Sequence, residues 1–571
     1  MAADPDSLAG LPEEILATLT INTSPSSTPF RARTAYTHRT WARTFSSLPE
    51  LYIQPHTLQE IEHAVSLARQ CRRRLTTVGS GHSPSDMTCT SSWMLNLDRF
   101  ARVLDIDPET GLCTVEAGIR LRDLSAALDE AGLALPNLGS IDEQSIAGAI
   151  ATGTHGSSLR HGLVSECVVA LKITLADGKT RDCSADERPE LFRAALLSVG
   201  ALGVVTEVTL RAVPAFSLAW SQTIDSDARL FEGWDDVLWK QAEFVRVWWF
   251  PYMRRAVVWK ADRVEKADID AGTVRHSQPP TSFQDSRLGY IVYQNLLALA
   301  RWFPRVTPWI EWFVFGLNYG FRNGESTRVS GCQESYKAFL LNCLYSQFVN
   351  EWAIPLHKGP EALQRLGAWL NRLQPGDPGY VEHRIPFSAD KLWVHSPVEV
   401  RVSDTTVHTD ATAARGNRPF LDITPDDGPA LYLNATMYRP YYRDPTHEAT
   451  ERYYAAFEWL MRDLGGRPHW AKTFSVSPSE FATWYGDDWR KFCGVRDRAD
   501  PEGMFVGPWH RRYLLGEGGK SEDDSEDEEE EEEEGGKGLQ RLPLEEVGFV
   551  HEKAEGGGFR VFGRQNPVVP A

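Results

Sequence analysis

The sequence predicts an α+β chain, with a helix-covered sheet in its N-terminal third and a second, aromatic-rich domain after it. Three observations carry that reading. A strand-helix-strand pattern occupies residues 51–78, which calls for a parallel or mixed sheet covered by helices. Alternating strands separated by turn residues continue to about residue 210. From about residue 215 the composition shifts, and residues 244–250 and 256–259 read as aromatic strands paired around Pro251.

Residues 1–40, rich in Pro, Ser and Thr, are expected to be a flexible lead-in. Residues 51–53 form a strand, followed by a helix from Thr57 to about Arg72. Thr57 and Glu60 fit a capping box, and Ile61, Ala64, Val65, Ala68 and Cys71 share one face. The strand at 75–78 then enters Gly79-Ser80-Gly81-His82-Ser83-Pro84-Ser85. Glycines one residue apart permit backbone conformations closed to other residues, and successive inward N–H groups can make a concave anion site suited to a diphosphate. The rival G-x-G-x-x-G turn fails because Pro84 stands at its third glycine. A Walker loop fails at Gly178-Lys179-Thr180, where Ile173 replaces the required glycine.

Residues 113–118 read as a strand and 121–131 as a helix with Leu121, Leu124, Ala127 and Leu128 on one face. Residues 141–158 are dense in Gly, Ala, Ser and Thr. Such residues suit either close backbone approach to a flat ligand or tight helix-strand packing. Residues 168–175 and 180–183 form a hairpin across Asp177-Gly178, and 202–210 is a further strand that ends the first domain near Pro214. In the second domain, 281–321 is an aromatic helical excursion broken by Pro304 and Pro308. Residues 403–428 read as an inserted polar loop and 453–464 as a helix.

At 571 residues the chain should hold two or three domains, and a hydrophobic fraction of 42% suffices for a large core. The net charge of −18 is dominated by twelve carboxylates in residues 522–534, and removing them leaves about −6. No basic cluster suggests nucleic-acid binding. The eight cysteines contain no C-x-x-C pair, which implies reduced thiols and no metal site. The acidic N-terminus resembles neither a signal peptide nor a mitochondrial presequence. The longest apolar stretches, thirteen residues between Arg287 and Arg301 and ten between Glu311 and Arg322, fall short of the ~20 needed to span a bilayer. Residues 281–321 remain the stretch suited to a membrane surface. The tail, 516–571, has too few apolar residues to offset the entropy of ordering and is expected to be disordered.

Residues 393–401 alternate like a strand, so Glu399 and Arg401 project from one face. Such a pair is either a solvated ion pair or, given apolar Val398, Val400 and Val402, the wall of a polar cavity. Glu382 and Arg384 repeat the spacing, but Pro386 argues for a loop there. Late in the chain comes Gly465-Gly466-Arg467-Pro468-His469-Trp470-Ala471-Lys472.

Together, G-x-G-H-S and H-W-A-K resemble the sugar-lactone oxidoreductase branch of the vanillyl-alcohol-oxidase-type (PCMH-type) flavoproteins, over about residues 41–515. The fungal D-arabinono-1,4-lactone oxidases are most similar; L-gulono-lactone oxidase and plant galactono-lactone dehydrogenase look more distant. The resemblance implies a two-subdomain FAD-binding domain at 41–214 and a cap domain at 215–455. A C-terminal segment, 456–515, would complete the active site. It implies FAD held by Gly79, Ser80, Gly81, Ser83 and Ser85, bonded covalently to His82, and lined by Gly148, Gly153, Thr154, His155, Gly156 and Val205. Glu399, Arg401, His469 and Lys472 become the catalytic candidates. Arg401 would hold substrate oxygens, Glu399 would orient it, and Lys472 would take or share the substrate hydroxyl proton.

The implied reaction removes two electrons from a secondary alcohol beside a lactone carbonyl, with oxygen as acceptor and hydrogen peroxide and D-erythroascorbate as products. A dehydrogenase using a cytochrome or quinone is the near alternative. A nucleotide-binding interaction protein with an acidic tail is the non-enzymatic one. The resemblance also implies association with the mitochondrial outer membrane.

Overall fold

The computed structural model of the protein describes residues 8–22, 28–277, 282–320, 329–341, 345–406, 418–426, 428–445, 447–516, 550–553 and 559–562. The strands Leu51–Ile53 and Leu75–Val78 both pair in parallel with Trp93–Asn96, and Ala32–Arg33 pairs antiparallel at the edge. Parallel strands need a crossover, and the helix Leu58–Gln70 supplies it. Thr57 Oγ1 accepts from the Glu60 N–H at 3.2 Å, whereas the Glu60 carboxylate caps His56 N–H at 2.8 Å, one residue earlier than the sequence pattern suggests. Ile61, Ala64, Val65 and Ala68 are fully buried. Truncating such an isoleucine to alanine costs about 2–5 kcal/mol.

A separate five-stranded antiparallel sheet follows, in the order Thr180–Ser184, Val168–Thr174, Val204–Arg211, Leu112–Glu116, Val103–Asp107. Its first two strands are the expected hairpin, with Gly178 at φ +74° in the turn. The N-terminal lead-in is more ordered than its composition suggests. Glu13–Asn22 is a helix, and Leu8, Leu11, Ile15 and Leu19 are buried in the main core.

The second domain is built on an eight-stranded antiparallel sheet. Its order is Val329–Glu334, Phe216–Ser226, Arg255–Glu265, Phe244–Phe250, Val398–Ser403, Ala430–Tyr438, Gln347–Pro355, Arg467–Pro468. The strand carrying Glu399 and Arg401 begins only at Val398, because residues 393–397 run as a loop into the cis Ser396–Pro397 peptide. Glu382 and Arg384 lie in a loop and are 75% and 67% exposed. The aromatic excursion is two helices, Arg287–Trp302 and Thr307–Tyr319. Pro304 opens the short turn between them and Pro308 sits in the first turn of the second, where a missing N–H costs nothing.

Part of the expected inserted loop is packed: Asp422 and Thr424 are buried, and Arg418 reaches Asp422 at 2.7 Å. Residues 407–417 and 427 lie outside the described ones. The helix Pro478–Ala499 carries the chain back to the first domain through Arg498–Glu190 at 2.8 Å and Arg193–Asp488 at 3.4 Å. Within the acidic tail, residues 517–549 lie outside the described ones. Val550–Lys553 pairs with Phe559–Phe562, and Arg560 of the latter pairs in parallel with Ser46.

Candidate active site

The strand Leu75–Val78 delivers the glycine loop to the joint between the two N-terminal sheets. Gly79 must lack a side chain, since a Cβ there would lie 2.1 Å from Ser145 Oγ. Ser145 in turn caps the helix Ile146–Ala151. Gly81 takes φ +67°, and its carbonyl accepts from Trp41 N–H at 2.8 Å. A groove runs between loop and helix, lined by residues 79–83, Gln144, Ser145 and Gly148, with Val199 and His510 at its far wall. Two buried polar atoms of residues lining this groove, Thr77 Oγ1 and His82 Nδ1, have no protein partner, and neither does Ser85 Oγ just beyond the loop, although Ser85 itself does not line the groove. Buried polar atoms are ordinarily hydrogen-bonded. An orphaned set beside a glycine loop therefore suits a polar cofactor such as FAD.

The His82 ring stacks on Trp41 with centroids 5.5 Å apart. Burial, helped by the Arg120 cation, pushes its pKa down to about 4. At neutral pH the ring is uncharged and keeps a free lone pair.

The chain leaves the groove through Gly153, at φ +75°, toward the large sheet. Gly156 is required by packing, since a Cβ would meet Asn137 Oδ1 at 1.9 Å. Thr154 Oγ1 accepts from Gln144 Nε2 at 3.3 Å. Ser157 and Ser158 then bind the sheet, Ser158 Oγ donating to Glu243 O at 2.6 Å. His155 is thereby laid flat on Tyr432, 3.4 Å between ring centroids. Val205 is buried in the middle strand of the five-stranded sheet and does not line the groove.

At the sheet face the candidate groups converge on a residue that sequence reasoning missed, Glu351. Its Oε1 lies 3.0 Å from Arg401 Nη2 and 3.2 Å from His155 Nε2, and its Oε2 lies 3.0 Å from Lys472 Nζ. Burial alone would raise the Glu351 pKa, but the Lys472 and Arg401 charges and the His155 hydrogen bond hold it well below the usual carboxylate range. Glu399 Oε1 approaches Arg401 Nε at 3.5 Å. Burial acts to lower the Arg401 pKa, and Glu399 and Glu351 more than offset it. The sequence signal for Glu351 was a lone carboxylate inside the apolar strand Gln347–Pro355.

The H-W-A-K turn explains how Lys472 arrives. His469 N–H donates to Glu351 O at 2.8 Å, and Lys472 N–H donates back to His469 O at 3.0 Å. Trp470, fully buried against Phe481, anchors the turn by donating its indole N–H to Leu421 O at 2.9 Å. His469 Nδ1 accepts from Ala471 N–H, and burial holds this ring well below its ordinary pKa. A neutral His469 therefore presents Nε2–H at the cluster.

Glu399 also lines a large cavity over the same sheet, walled by Arg246, Trp248, Trp259 and Asn434 and roofed by the two aromatic helices. A buried cluster of two carboxylates and several cations beside a roomy cavity can orient a polyol and stabilise charge developing on its oxygens.

Residues 208–513 match the D-arabinono-1,4-lactone oxidase family, and residues 49–184 match the FAD binding domain family. A Neurospora crassa protein bearing the lactone oxidase name in provisional form is 64% identical, over 95% of this chain and 94% of its own. D-arabinono-1,4-lactone oxidases of Yarrowia lipolytica and Saccharomyces cerevisiae are 39% and 36% identical, over 83% and 84% of this chain and 96% of each of theirs. A cholesterol oxidase structure from Brevibacterium sterolicum shares the fold, with a TM-score of 0.69 at 15% identity over 86% of this chain and 99% of its own. The chain belongs to the D-arabinono-1,4-lactone oxidase family and carries an FAD-binding domain.

Proposed function

We propose that the protein oxidises D-arabinono-1,4-lactone, or a closely related aldono-1,4-lactone, with molecular oxygen, giving D-erythroascorbate and hydrogen peroxide, and that it carries FAD covalently on His82. The observation that supports this most is the convergence of Arg401, Lys472, His155 and His469 on Glu351, beside Glu399. When bound, FAD accepts the hydride from the carbon bearing the substrate hydroxyl. Lys472 is ion-paired to Glu351. It therefore shares the hydroxyl proton by hydrogen bonding to the oxygen, while Glu351 balances its charge. Arg401, held by two carboxylates, presents its remaining N–H groups to substrate oxygens. The neutral His82 ring beside the glycine loop, whose Nδ1 has no hydrogen-bond partner, supports the covalent link.

Mixing the purified protein with the lactone in an oxygen electrode tests the reading. Oxygen uptake with peroxide release supports it. Turnover only with cytochrome c or a quinone assigns a dehydrogenase instead. Colourless protein without turnover leaves the nucleotide-binding interaction protein.

We also place the protein on a membrane surface, that of the outer mitochondrial membrane. Trp302, Trp309 and Trp312 on the two roof helices, and Phe303 at the end of the first, are 74%, 52%, 46% and 61% exposed. No helix among the described residues is long and apolar enough to cross a bilayer. An interfacial contact is what such an apolar helix face supports. Flotation with anionic phospholipid vesicles, lost on replacing Trp302 and Phe303 by aspartate, would bear this out; undiminished flotation of that variant would remove it.

A further inference from the structure

Arg246 stands on the strand Phe244–Phe250, one residue before Val247, which pairs with Val400 of the neighbouring strand. It therefore lies level with Arg401 on the same sheet face. The two arginines differ in what surrounds them. Arg401 has Glu351 and Glu399 within 3.0 and 3.5 Å. Arg246 is 2% exposed and has no carboxylate within ion-pair distance among the described residues. One of its N–H groups donates to Phe339 O at 2.6 Å, its Nε has no partner, and its guanidinium lies over the Trp259 ring at 5.2 Å. Burial lowers its pKa to about 10, so it stays cationic at neutral pH. A guanidinium has five donors in a planar fork and matches a carboxylate in two-point fashion. Glu399, already paired with Arg401, offsets only part of the cost of burying this cation, and an entering anion relieves the rest.

The cavity itself is lined by Arg246 and Lys337 against Glu399 and Asp285, with Glu311 kept protonated at neutral pH by burial. With Arg401 and Lys472 against Glu351 on the same sheet face, and the buried histidines neutral, the net charge is one positive. Arg246 and Glu399 line one cavity, so a ligand beside Glu399 is within reach of the free fork. Aldono-lactones hydrolyse in water: the ring ester bond breaks, water adds at the carbonyl, and a carboxylate, a hydroxyl and a proton result. The open-chain aldonate thus bears its charge where the lactone bore its carbonyl.

We propose that Arg246 forms a carboxylate subsite in the substrate cavity that binds the open-chain aldonate anion in competition with the lactone. The proposal rests on the lactone-oxidase reading for the identity of the sugar.

The test uses the flavin-loaded protein and two probes of equal chain length, D-arabinonate and the neutral D-arabinitol. Binding is followed by tryptophan fluorescence, to which Trp259 reports, and by displacement with the lactone. Arabinonate is expected to bind at least about tenfold more tightly than arabinitol and to be displaced by lactone. Arg246→Gln should weaken arabinonate by about ten- to a hundredfold, the scale of a charge-assisted hydrogen bond, with little change for arabinitol. Arg246→Lys should recover part of the loss. Equal binding of the two probes by the unmodified protein would overturn the subsite, even if Arg246→Gln does not fold. So would arabinonate that lactone cannot displace, or arabinonate affinity unchanged in Arg246→Gln. Lactone turnover in the same preparation separates the two failures. Turnover without arabinonate preference sinks the subsite alone, and absent turnover sinks the lactone reading.

Discussion

The groove beside the glycine loop and the charged face of the large sheet are built on opposite plans. The groove is made mostly from two short stretches, residues 76–88 and 144–152, closed by Val199, Gly200, Phe505 and His510. The face draws single charged or aromatic side chains from four strands and one turn: Arg246, Glu351, Glu399 with Arg401, Tyr432, and His469 with Lys472. A local site tolerates little change of shape. A dispersed site depends on how its charges balance.

The largest effect is expected from unbalancing the face. Glu351→Ala leaves Arg401 and Lys472 facing each other without their common counter-charge. Removing one partner of a buried ion pair typically costs about 3–5 kcal/mol, so the melting temperature should drop by several degrees and lactone turnover should disappear. A fully active, equally stable variant would show that the cluster is not held by Glu351. The matching break in the groove is Gly79→Val, whose Cβ would overlap Ser145. It should lower the flavin-to-protein absorbance ratio severely while the second domain, followed by its tryptophan fluorescence, still folds. Retained flavin would mean that loop and helix can separate.

His82→Ala is a milder cut. It should leave flavin bound but extractable by acid precipitation, whereas flavin stays with the unmodified protein. Flavin extracted equally from both would remove His82 as the attachment point.

Protons distinguish the regions more gently. Burial holds His38, His82, His395 and His510 near about 4 in the folded protein against 6.5 in the free side chain. Between those values the unfolded chain binds protons that the folded one refuses, so stability should fall as pH drops from 6.5 to 4, by up to about 1.4 kcal/mol per pH unit for each histidine. Glu311 and Asp500, raised by burial to about 8 and about 6, work in the opposite sense and take back about half of that slope. Melting temperatures measured across this range check the sign. A melting temperature that rises toward pH 4 would contradict it. The smallest effect belongs to Arg384→Ala, exposed in its loop, which should leave turnover and stability unchanged.

The two plans also explain what the sequence could reveal. The loop, its strand, the crossover helix and the Asp177-Gly178 hairpin depend on neighbours along the chain, so spacing and glycine placement exposed them. H-W-A-K was legible as a motif and gave Lys472 its role through the resemblance, but what holds the turn was not, because it is fixed by Glu351 and Leu421, far away in sequence. Glu351 and Arg246 each looked like one charge in an apolar strand. Only the order of eight strands, which no local pattern encodes, brings Arg246 level with Arg401 and Glu351 within 3.0 Å of it. The lead-in helix was missed for a related reason. Ile15 and Leu19 bury against a domain that the local sequence does not show.

Anaerobic rapid mixing of lactone with the flavin-loaded protein reads the joint action of groove and face without the oxygen step. Lys472→Ala should bleach the flavin absorbance roughly a hundred- to ten-thousandfold more slowly than the unmodified protein, the scale for losing a group that manages the reacting proton, while Arg384→Ala bleaches at the normal rate. Bleaching by Lys472→Ala at the unmodified rate would contradict the assignment of the charged face as the place where the lactone reacts.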